Sequence, residues 1–333
     1  MRGVRSRRGV RPAFQTASGR FYVGQCEHLL AGQLRKSLRG KVQLVLTSPP
    51  FPLNRKKKYG NKTGNDYRRW FAGLGELFAD VIRDDGSIVI EMGNAWTPGR
   101  PVQSLLHLES LLGLVNESGS GLRLCQQFIC YNPTRLPSPA QWVTRERIRL
   151  TDSFTHVWWL AKTDYPKADN RKVLRPYSDS MHKLLERRSY NHGPRPSQHR
   201  ISKTGFLQNN GGSIAHNFFE LDPMSEESLP RLPNAMRSAN TTSTDKFLAR
   251  CREQGITPHP ARMPISLANF FISFLTDEGD LVLDPFAGSN TTGFAAETLS
   301  RKWTAIEIDP RYCDQVKLRF SEPLQCEIAI AAE

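Results

Sequence analysis

The order of hydrophobic and polar positions divides most of the chain into alternating strand-like and helix-like segments. Short apolar runs predict buried strands near residues 21–23, 42–46, 87–92, 122–131, 153–161, 281–284 and 303–309. Helical spacing predicts a helix between the turn at 24–26 and residue 34, and further helices over 66–82, 102–115 and 264–276. Another helix is predicted directly after the loop at 284–293. Asp85-Gly86 predicts a turn, and 122–131 and 153–161 are expected to be antiparallel neighbours. This alternation indicates a doubly wound α/β sheet.

The segment from residue 162 to about residue 257 departs from this pattern. It shows little periodicity and is rich in Pro, Asn, Ser and Gly. Between residues 162 and 203, eleven Lys and Arg residues face only four Asp and Glu residues. A loop-rich stretch of this length inside a compact domain is uncommon, and it is usually either functional or disordered. We therefore expect a basic insertion at 162–257.

Composition and charge narrow the class of partner. The 333 residues carry a formal net charge of +14, and 38% of them are hydrophobic, which is enough for a real core. The positive excess favours a polyanionic partner, nucleic acid first.

The six cysteines form no CxxC pair, so we expect no metal site and free thiols in a reducing cytoplasm. No apolar run is long enough to span a membrane, and the basic N-terminus predicts a flexible tail rather than a signal peptide.

The first chemical motif follows the strand at 42–46 and consists of Thr47-Ser48-Pro49-Pro50-Phe51. Two consecutive prolines fix φ and remove two backbone donors, and each one holds the residue before it in an extended conformation. The loop is therefore stiff and rich in acceptors, and it also presents a hydroxyl and an aromatic ring. This combination suits the binding of an exocyclic amino group, which has only hydrogens to offer.

The second motif is a loop of small residues after the strand at 281–284, spanning 284–293. About twenty residues later, a second short apolar strand ends at Glu307-Ile308-Asp309. Ligands bind at the carboxyl ends of strands in open α/β sheets, and an acid at the tip of the next strand can hold ribose hydroxyls. The spacing fits a cofactor that contains a nucleoside. Because the chain has neither GxGxxG nor a Walker lysine, NAD and ATP are disfavoured.

With these motifs in this order, the chain resembles the β class of S-adenosylmethionine-dependent DNA amino-methyltransferases. In that class the catalytic loop precedes the cofactor loop in sequence. The segment 48–51 matches the Ser-Pro-Pro-Phe motif typical of N4-cytosine enzymes, 284–289 matches the Phe-x-Gly cofactor motif, and 259–264 matches a His-Pro-Ala segment. The chain departs from the class at Gln25, where Asp is usual, and at Met263, where an aromatic residue is common.

The resemblance implies a Rossmann-like sheet with circularly permuted motif order. It also implies transfer of a methyl group from S-adenosylmethionine to the N4 amine of a cytosine flipped out of duplex DNA. Ser48 and Pro49 would accept the amine hydrogens, Pro50 would hold the loop, and Phe51 would stack on the base. The cofactor would be bound by Gln25, His259, Arg262, Asp284, Phe286, Gly288, Ser289, Asn290, Thr291, Thr292 and Glu307. DNA phosphates would be contacted by the basic run Arg55, Lys56, Lys57 and Lys58.

The resemblance also implies three regions. These are a basic tail at 1–18, a catalytic and cofactor-binding domain at 19–161 with 258–325, and a target recognition region at 162–257. Serine at the first catalytic position favours cytosine but leaves adenine N6 open. An RNA methyltransferase and an inactive DNA-binding protein of the same fold are further alternatives. A homodimer and a restriction endonuclease acting on the same site are additional partners typical of the class.

Overall fold

The computed structural model describes residues 10–52, 62–133, 135–222, 236–239, 246–259 and 261–321. The predicted phosphate-binding run of Arg55, Lys56, Lys57 and Lys58 lies outside the described residues, as does the first half of the predicted tail. Within the described ranges, no helix is long and apolar enough to cross a membrane.

One large sheet organises the described part of the chain. The strands are β1 (Phe14–Gln15), β2 (Gly19–Val23), β3 (Val42–Thr47), β4 (Ile82–Met92), β5 (Ala95–Trp96), β6 (Gln103–Ser104), β7 (Arg123–Tyr131), β8 (Phe154–Ala161), β9 (Gly193–Pro194), β10 (Arg200–Ile201), β11 (Phe218–Asp222), β12 (Met236–Ala239), β13 (Leu281–Asp284) and β14 (Lys302–Glu307). The large sheet has the order β1-β2-β14-β13-β3-β4-β8-β7-β11-β12. Its neighbours are parallel except at β1–β2 and on both sides of β8. The pairs β5–β6 and β9–β10 are separate small hairpins.

Helices cover both faces of this sheet. The α-helices are α1 (Cys26–Ala31), α2 (Arg35–Leu38), α3 (Gly64–Val81), α4 (Leu106–Leu112), α5 (Asp179–Arg187), α6 (Lys246–Glu253), α7 (Ile265–Leu275), α8 (Thr291–Thr298) and α9 (Cys313–Arg319). One core contains α1, α3 and α4, and the other contains α7 and α8 on the opposite face. All six residues of β3 are buried because the strand is covered on both sides.

Most of the predicted elements are confirmed, including the doubly wound sheet, the helices α3 and α7 and the antiparallel pairing of β7 with β8. The helix predicted at 102–115 begins only at Leu106, because Gln103–Ser104 pairs with Ala95–Trp96. The predicted turn at Asp85-Gly86 lies inside β4. There the pairing with β3 shifts register, since Val42 is opposite Ile82 while Leu44 is opposite Ser87.

The segment with little periodicity, 162–257, contains more secondary structure than its sequence pattern indicates. Two of its strands, β11 and β12, extend the large sheet beyond β7, and the segment also contains the helices α5 and α6. The strands have only five and four residues, which is too short for a sequence window to give a clear periodic signal. Their pairing with β7 is long-range and depends on the rest of the sheet.

The strand order also locates the point where a ligand is expected. β13 and β3 are parallel neighbours at the centre of the sheet. The chain continues from β13 to β14 on one side and from β3 to β4 on the other. Strand order therefore reverses between β13 and β3, and the loops that leave their carboxyl ends diverge to form a crevice, as in other doubly wound sheets. Both sequence motifs begin at this crevice.

Candidate active site

The Ser-Pro-Pro-Phe loop leaves β3 in a fixed position. The buried Tyr67 of α3 donates its hydroxyl hydrogen to the Pro50 carbonyl over 2.7 Å. The Phe51 ring lies directly on the backbone of Gly93, where a Cβ would be only 2.4 Å from ring atom Cδ2. Only glycine at position 93 allows this approach. The loop is therefore held from α3 and from the segment after β4, as well as by its own prolines.

Glu91, at the end of the neighbouring strand β4, is a functional candidate that sequence reasoning missed. Its carboxylate accepts hydrogen bonds from Ser48 and, over 3.1 Å, from Thr155 of β8. Burial raises the pKa of Glu91, while these two hydrogen bonds and the charge of Arg135 act in the opposite direction. Because the Ser48 hydroxyl donates to Glu91, the lone pairs of its oxygen stay available for another donor.

Asp284 joins the catalytic loop to the cofactor loop. One of its oxygens accepts from the Thr47 hydroxyl at 2.7 Å and from the Phe286 backbone N–H at 3.1 Å, and the other accepts from the Thr292 hydroxyl at 2.7 Å. Burial raises the pKa of Asp284 to about 6, although these hydrogen bonds favour the ionised form. The carboxyl group thus faces the protein interior and connects the residue before Ser48 to the start of α8.

The loop after β13 is arranged around Gly288 and Glu307. The Glu307 carboxylate at the end of β14 accepts from the Gly288 N–H at 2.8 Å and from the Asp309 N–H at 2.9 Å. Gly288 has a φ of 51°, and a Cβ at this position would lie 3.3 Å from the His259 ring. The left-handed conformation and the close ring both favour glycine. Each Glu307 oxygen keeps a further lone pair for a ligand hydroxyl.

Asn290 closes the same loop at the N-terminus of α8. It adopts a left-handed conformation with φ 58°, and its side-chain oxygen accepts from the Gly293 N–H at 3.1 Å. Its side-chain nitrogen Nδ2 is buried and has no hydrogen-bond partner among the described residues. An unpaired buried donor beside a helix N-terminus fits an anionic group such as a carboxylate.

The structure brings many of the predicted site residues together. The segment Gly24-Gln25 lies next to Glu307, and the Gly24 N–H donates a hydrogen bond to the Glu307 backbone carbonyl at 2.8 Å. The exposed Gln25 side chain makes no capping bond to α1. Phe286 stands edge-on to Trp70 with ring centroids 5.8 Å apart. Cofactor contact by these side chains remains a prediction.

Other predicted cofactor residues use their side chains within the protein. The Thr292 hydroxyl hydrogen is used at Asp284, and the Ser289 hydroxyl accepts a hydrogen bond from Arg319. The guanidinium of Arg262 points towards the ring of Phe247, 5.9 Å from its centroid. The Thr292 hydroxyl therefore has no hydrogen left for a cofactor, whereas the Ser289 hydroxyl keeps its own hydrogen.

Three further residues near the site were not singled out from the sequence, namely Glu27, Tyr67 and Trp70. Trp70 Nε1 donates to Glu27, and the Cys26 thiol donates to the same carboxylate. Glu91 gave a usable signal, because a carboxylate at the end of a buried strand is unusual, whereas an acid in the first turn of a helix, as at Glu27, is common. Tyr67 and Trp70 gave none, since their spacing equals that of ordinary core residues.

Comparisons with known proteins agree with this geometry. A family model described as DNA methylase matches residues 42–318. The type II methyltransferase M.PvuII of Proteus hauseri is 40% identical over 314 residues, covering 94% of this chain and 86% of M.PvuII. The solved structure of the cytosine-N4-specific PvuII DNA methyltransferase gives a TM-score of 0.70 at 33% identity, covering 94% of this chain and 90% of that one.

A more distant structure shares the fold alone. TTHA0409 of Thermus thermophilus, solved with S-adenosyl-L-methionine, gives a TM-score of 0.52 at 19% identity and covers 91% of this chain and 93% of its own. The match of the family model and the similarity to M.PvuII establish that the chain belongs to the DNA methylase family. The resemblance to DNA amino-methyltransferases inferred from the motifs is thereby confirmed.

Proposed function

We propose that this protein transfers a methyl group from S-adenosylmethionine to the N4 amine of cytosine in duplex DNA. The observation that carries the proposal is the position of Ser48 and Pro49 at the carboxyl end of β3, joined through Thr47 and Asp284 to the loop of β13. The cytosine-N4 specificity of the PvuII enzyme supports the choice of base. The serine at the first position of the catalytic motif supports it independently.

The residues around the crevice fit S-adenosylmethionine. Glu307 has lone pairs for the ribose hydroxyls, and the buried Asn290 Nδ2 at the start of α8 suits the methionine carboxylate. Phe286, with Gln25 and His259 nearby, would flank the nucleoside. When bound, S-adenosylmethionine supplies an electrophilic methyl group on a sulfonium centre.

The catalytic loop would prepare the amine for attack. The lone pair of an exocyclic amine is conjugated with the ring, so the nitrogen is a poor nucleophile until it rehybridises. The Ser48 oxygen, whose own hydrogen is donated to Glu91, accepts one amine hydrogen, and the Pro49 carbonyl accepts the other. These two acceptors fix the nitrogen and stabilise the positive charge that develops on it. Phe51 stacks on the flipped base.

The first experiment identifies the product. Purified protein is incubated with unmethylated bacterial DNA and S-adenosylmethionine, the DNA is digested to nucleosides, and mass spectrometry compares them with standards. We expect N4-methylcytosine. N6-methyladenine would contradict the choice of base while keeping the fold and cofactor, and DNA binding without any methylated base would favour the inactive DNA-binding protein.

We further propose that residues 162–257 form the target recognition region, attached to a catalytic domain at 19–161 and 258–325. Within it, α5 is supported as the element that contacts DNA. The half-buried side of α5 carries Met181, Leu184 and Leu185, and the exposed side carries Lys183 and Arg187. A helix with cations on its free face suits the major groove, where Arg and Lys read guanine edges.

Joint substitution of Lys183 and Arg187 by alanine is expected to weaken DNA binding by about tenfold or more. The binding of S-adenosylmethionine should stay unchanged, because within the described part of the chain no hydrogen bond or ion pair joins α5 to the crevice residues. Fluorescence anisotropy with labelled DNA at several salt concentrations measures the effect. The matched control is Lys36→Ala, an exposed cation on α2. Equal DNA affinity for the wild type and the double variant would exclude α5 from the interface.

Two further partners are proposed from the class. A homodimer is supported by an apolar stripe along α4, where Leu105, Leu108 and Leu112 are 58%, 39% and 58% exposed. Sedimentation that gives a monomer at all concentrations would contradict it.

The type II designation of M.PvuII supports a restriction endonuclease with the same target site, which protection of methylated DNA from cleavage would test. Such a pair acts in the cytoplasm, where the DNA is.

A further inference from the structure

One face of α9 contacts both the cofactor loop and the end of the proposed recognition region. Arg319 donates from Nε to the Ser289 carbonyl at 2.8 Å and from an Nη nitrogen to the Ser289 hydroxyl at 3.1 Å. The same guanidinium lies over the ring of Phe247 in α6, with 3.8 Å between Cζ and the ring centroid. A single side chain therefore connects the loop after β13 to α6.

A second residue on this face of α9 makes a parallel connection. Gln315, one helical turn before Arg319, is only 1% exposed. Its side-chain oxygen accepts from the His259 N–H at 2.9 Å, and its nitrogen donates to the Thr257 carbonyl. The His259 ring in turn packs on Gly288. The chain leaving α6 and the Gly288-Ser289 segment are thus held side by side against α9.

The contact between α6 and α9 has its own small apolar core. Phe247 and Cys251 of α6 are 7% and 0% exposed, and Leu318 of α9 is 5% exposed. This cluster is separate from the two cores that flank the sheet. The position of Phe247 over the guanidinium is therefore fixed by packing, so that α6 limits the orientations open to Arg319.

We propose that Arg319 is a positioning residue for the cofactor loop, held in its working orientation by Phe247. Ser289 immediately precedes Asn290, the left-handed residue that caps α8 and presents the unpaired Nδ2. Two bonds from a planar guanidinium to Ser289 fix the plane of the peptide that leads into Asn290. Loss of these bonds lets the loop sample orientations that do not bind the cofactor, which weakens binding without altering the catalytic loop. This inference rests on the proposed function, because it concerns the binding of S-adenosylmethionine.

The test separates the cofactor KM from kcat. We expect Arg319→Gln to raise both the KM and the calorimetric Kd for S-adenosylmethionine by about tenfold, the usual order for a lost charge-assisted hydrogen bond. The kcat at saturating cofactor should stay at the wild-type value. Arg319→Lys, which keeps the charge but not the planar fork, should be intermediate. Phe247→Leu should raise the KM severalfold although Phe247 acts on the cofactor loop only through Arg319.

The matched control is Lys317→Gln, which removes an exposed cation of the same helix that pairs with Asp314. It should leave KM and kcat unchanged. Thermal unfolding of each variant detects misfolding, which lowers the active fraction and thus kcat but not the KM. An unchanged KM in both Arg319→Gln and Phe247→Leu, with wild-type binding intact, would overturn this inference alone. A wild-type chain that binds no S-adenosylmethionine would overturn the proposed function together with it.

Discussion

The Ser48→Ala variant is expected to lose methyl transfer by about a hundredfold or more in kcat while it still binds S-adenosylmethionine. Ser48 supplies one of two acceptors for the amine hydrogens, and its oxygen is oriented because its own hydrogen goes to Glu91. Alanine removes the acceptor and leaves the half-buried Glu91 carboxylate with one donor fewer. The Pro49 carbonyl alone cannot fix the direction of the nitrogen lone pair. Single-turnover methylation with saturating cofactor and DNA measures the loss.

The matched control for this prediction is Ser153→Ala. Ser153 donates its hydroxyl to the nearby Thr151 carbonyl, and among the described residues its side chain forms no hydrogen bond with either loop of the crevice. The Ser153→Ala variant should therefore keep the wild-type kcat and cofactor affinity. A Ser48→Ala enzyme with a kcat close to that of the control would show that the hydroxyl is not an acceptor in the reaction, and the Pro49 carbonyl would then have to suffice.

Asp284→Ala is expected to lower the free energy of unfolding by about 3 kcal/mol or more, because two buried donors and one partly buried donor lose their acceptor. These donors are the hydroxyls of Thr47 and Thr292 and the N–H of Phe286. Both loops should loosen together, so cofactor affinity and kcat should fall in the same variant. Asp284→Asn retains an acceptor oxygen and should lose much less stability. Urea unfolding followed by fluorescence compares the three proteins.

The same carboxyl group predicts a pH dependence of stability. Burial raises the pKa of Asp284 to about 6 in the folded protein, from 3.8 when exposed. The folded state therefore binds the proton more tightly, and this contribution to stability is fully present below about pH 4. It is lost as the pH rises through about 6. The difference between the folded and unfolded pKa of Asp284 corresponds to about 2–3 kcal/mol of unfolding free energy.

The Asp284→Asn variant lacks this titrating group and therefore serves as the reference for the wild-type protein. The difference in unfolding free energy between the wild type and Asp284→Asn should therefore change between pH 4 and pH 7, with the wild type losing stability relative to the variant. Groups that titrate elsewhere in the molecule cancel in this difference. Parallel stability curves for the two proteins across that range would show that Asp284 is not buried as described.

Much of the site could be predicted because the residues that carry its chemistry are adjacent in the sequence. The Ser48–Phe51 loop and the 284–293 loop each contain the residue types that their roles need, and prolines or glycines fix their local conformation. The roles of individual side chains in the second loop were harder to predict. Thr292 and Ser289 have hydroxyls suited to a ligand, yet the structure uses both within the protein. Sequence alone cannot tell which partner such a group meets.

The sequence by itself determined the alternation of strands and helices, the basic insertion and the two motifs at strand ends. These features depend on periodicity and local backbone geometry, which act over a few residues. Only the tertiary structure decided that β3 and β13, more than two hundred residues apart, are neighbours. That pairing brings Thr47 to Asp284, just as the pairing of β4 with β8 brings Thr155 to Glu91. Such contacts arise from the packing of the whole sheet, for which no short segment carries a signal.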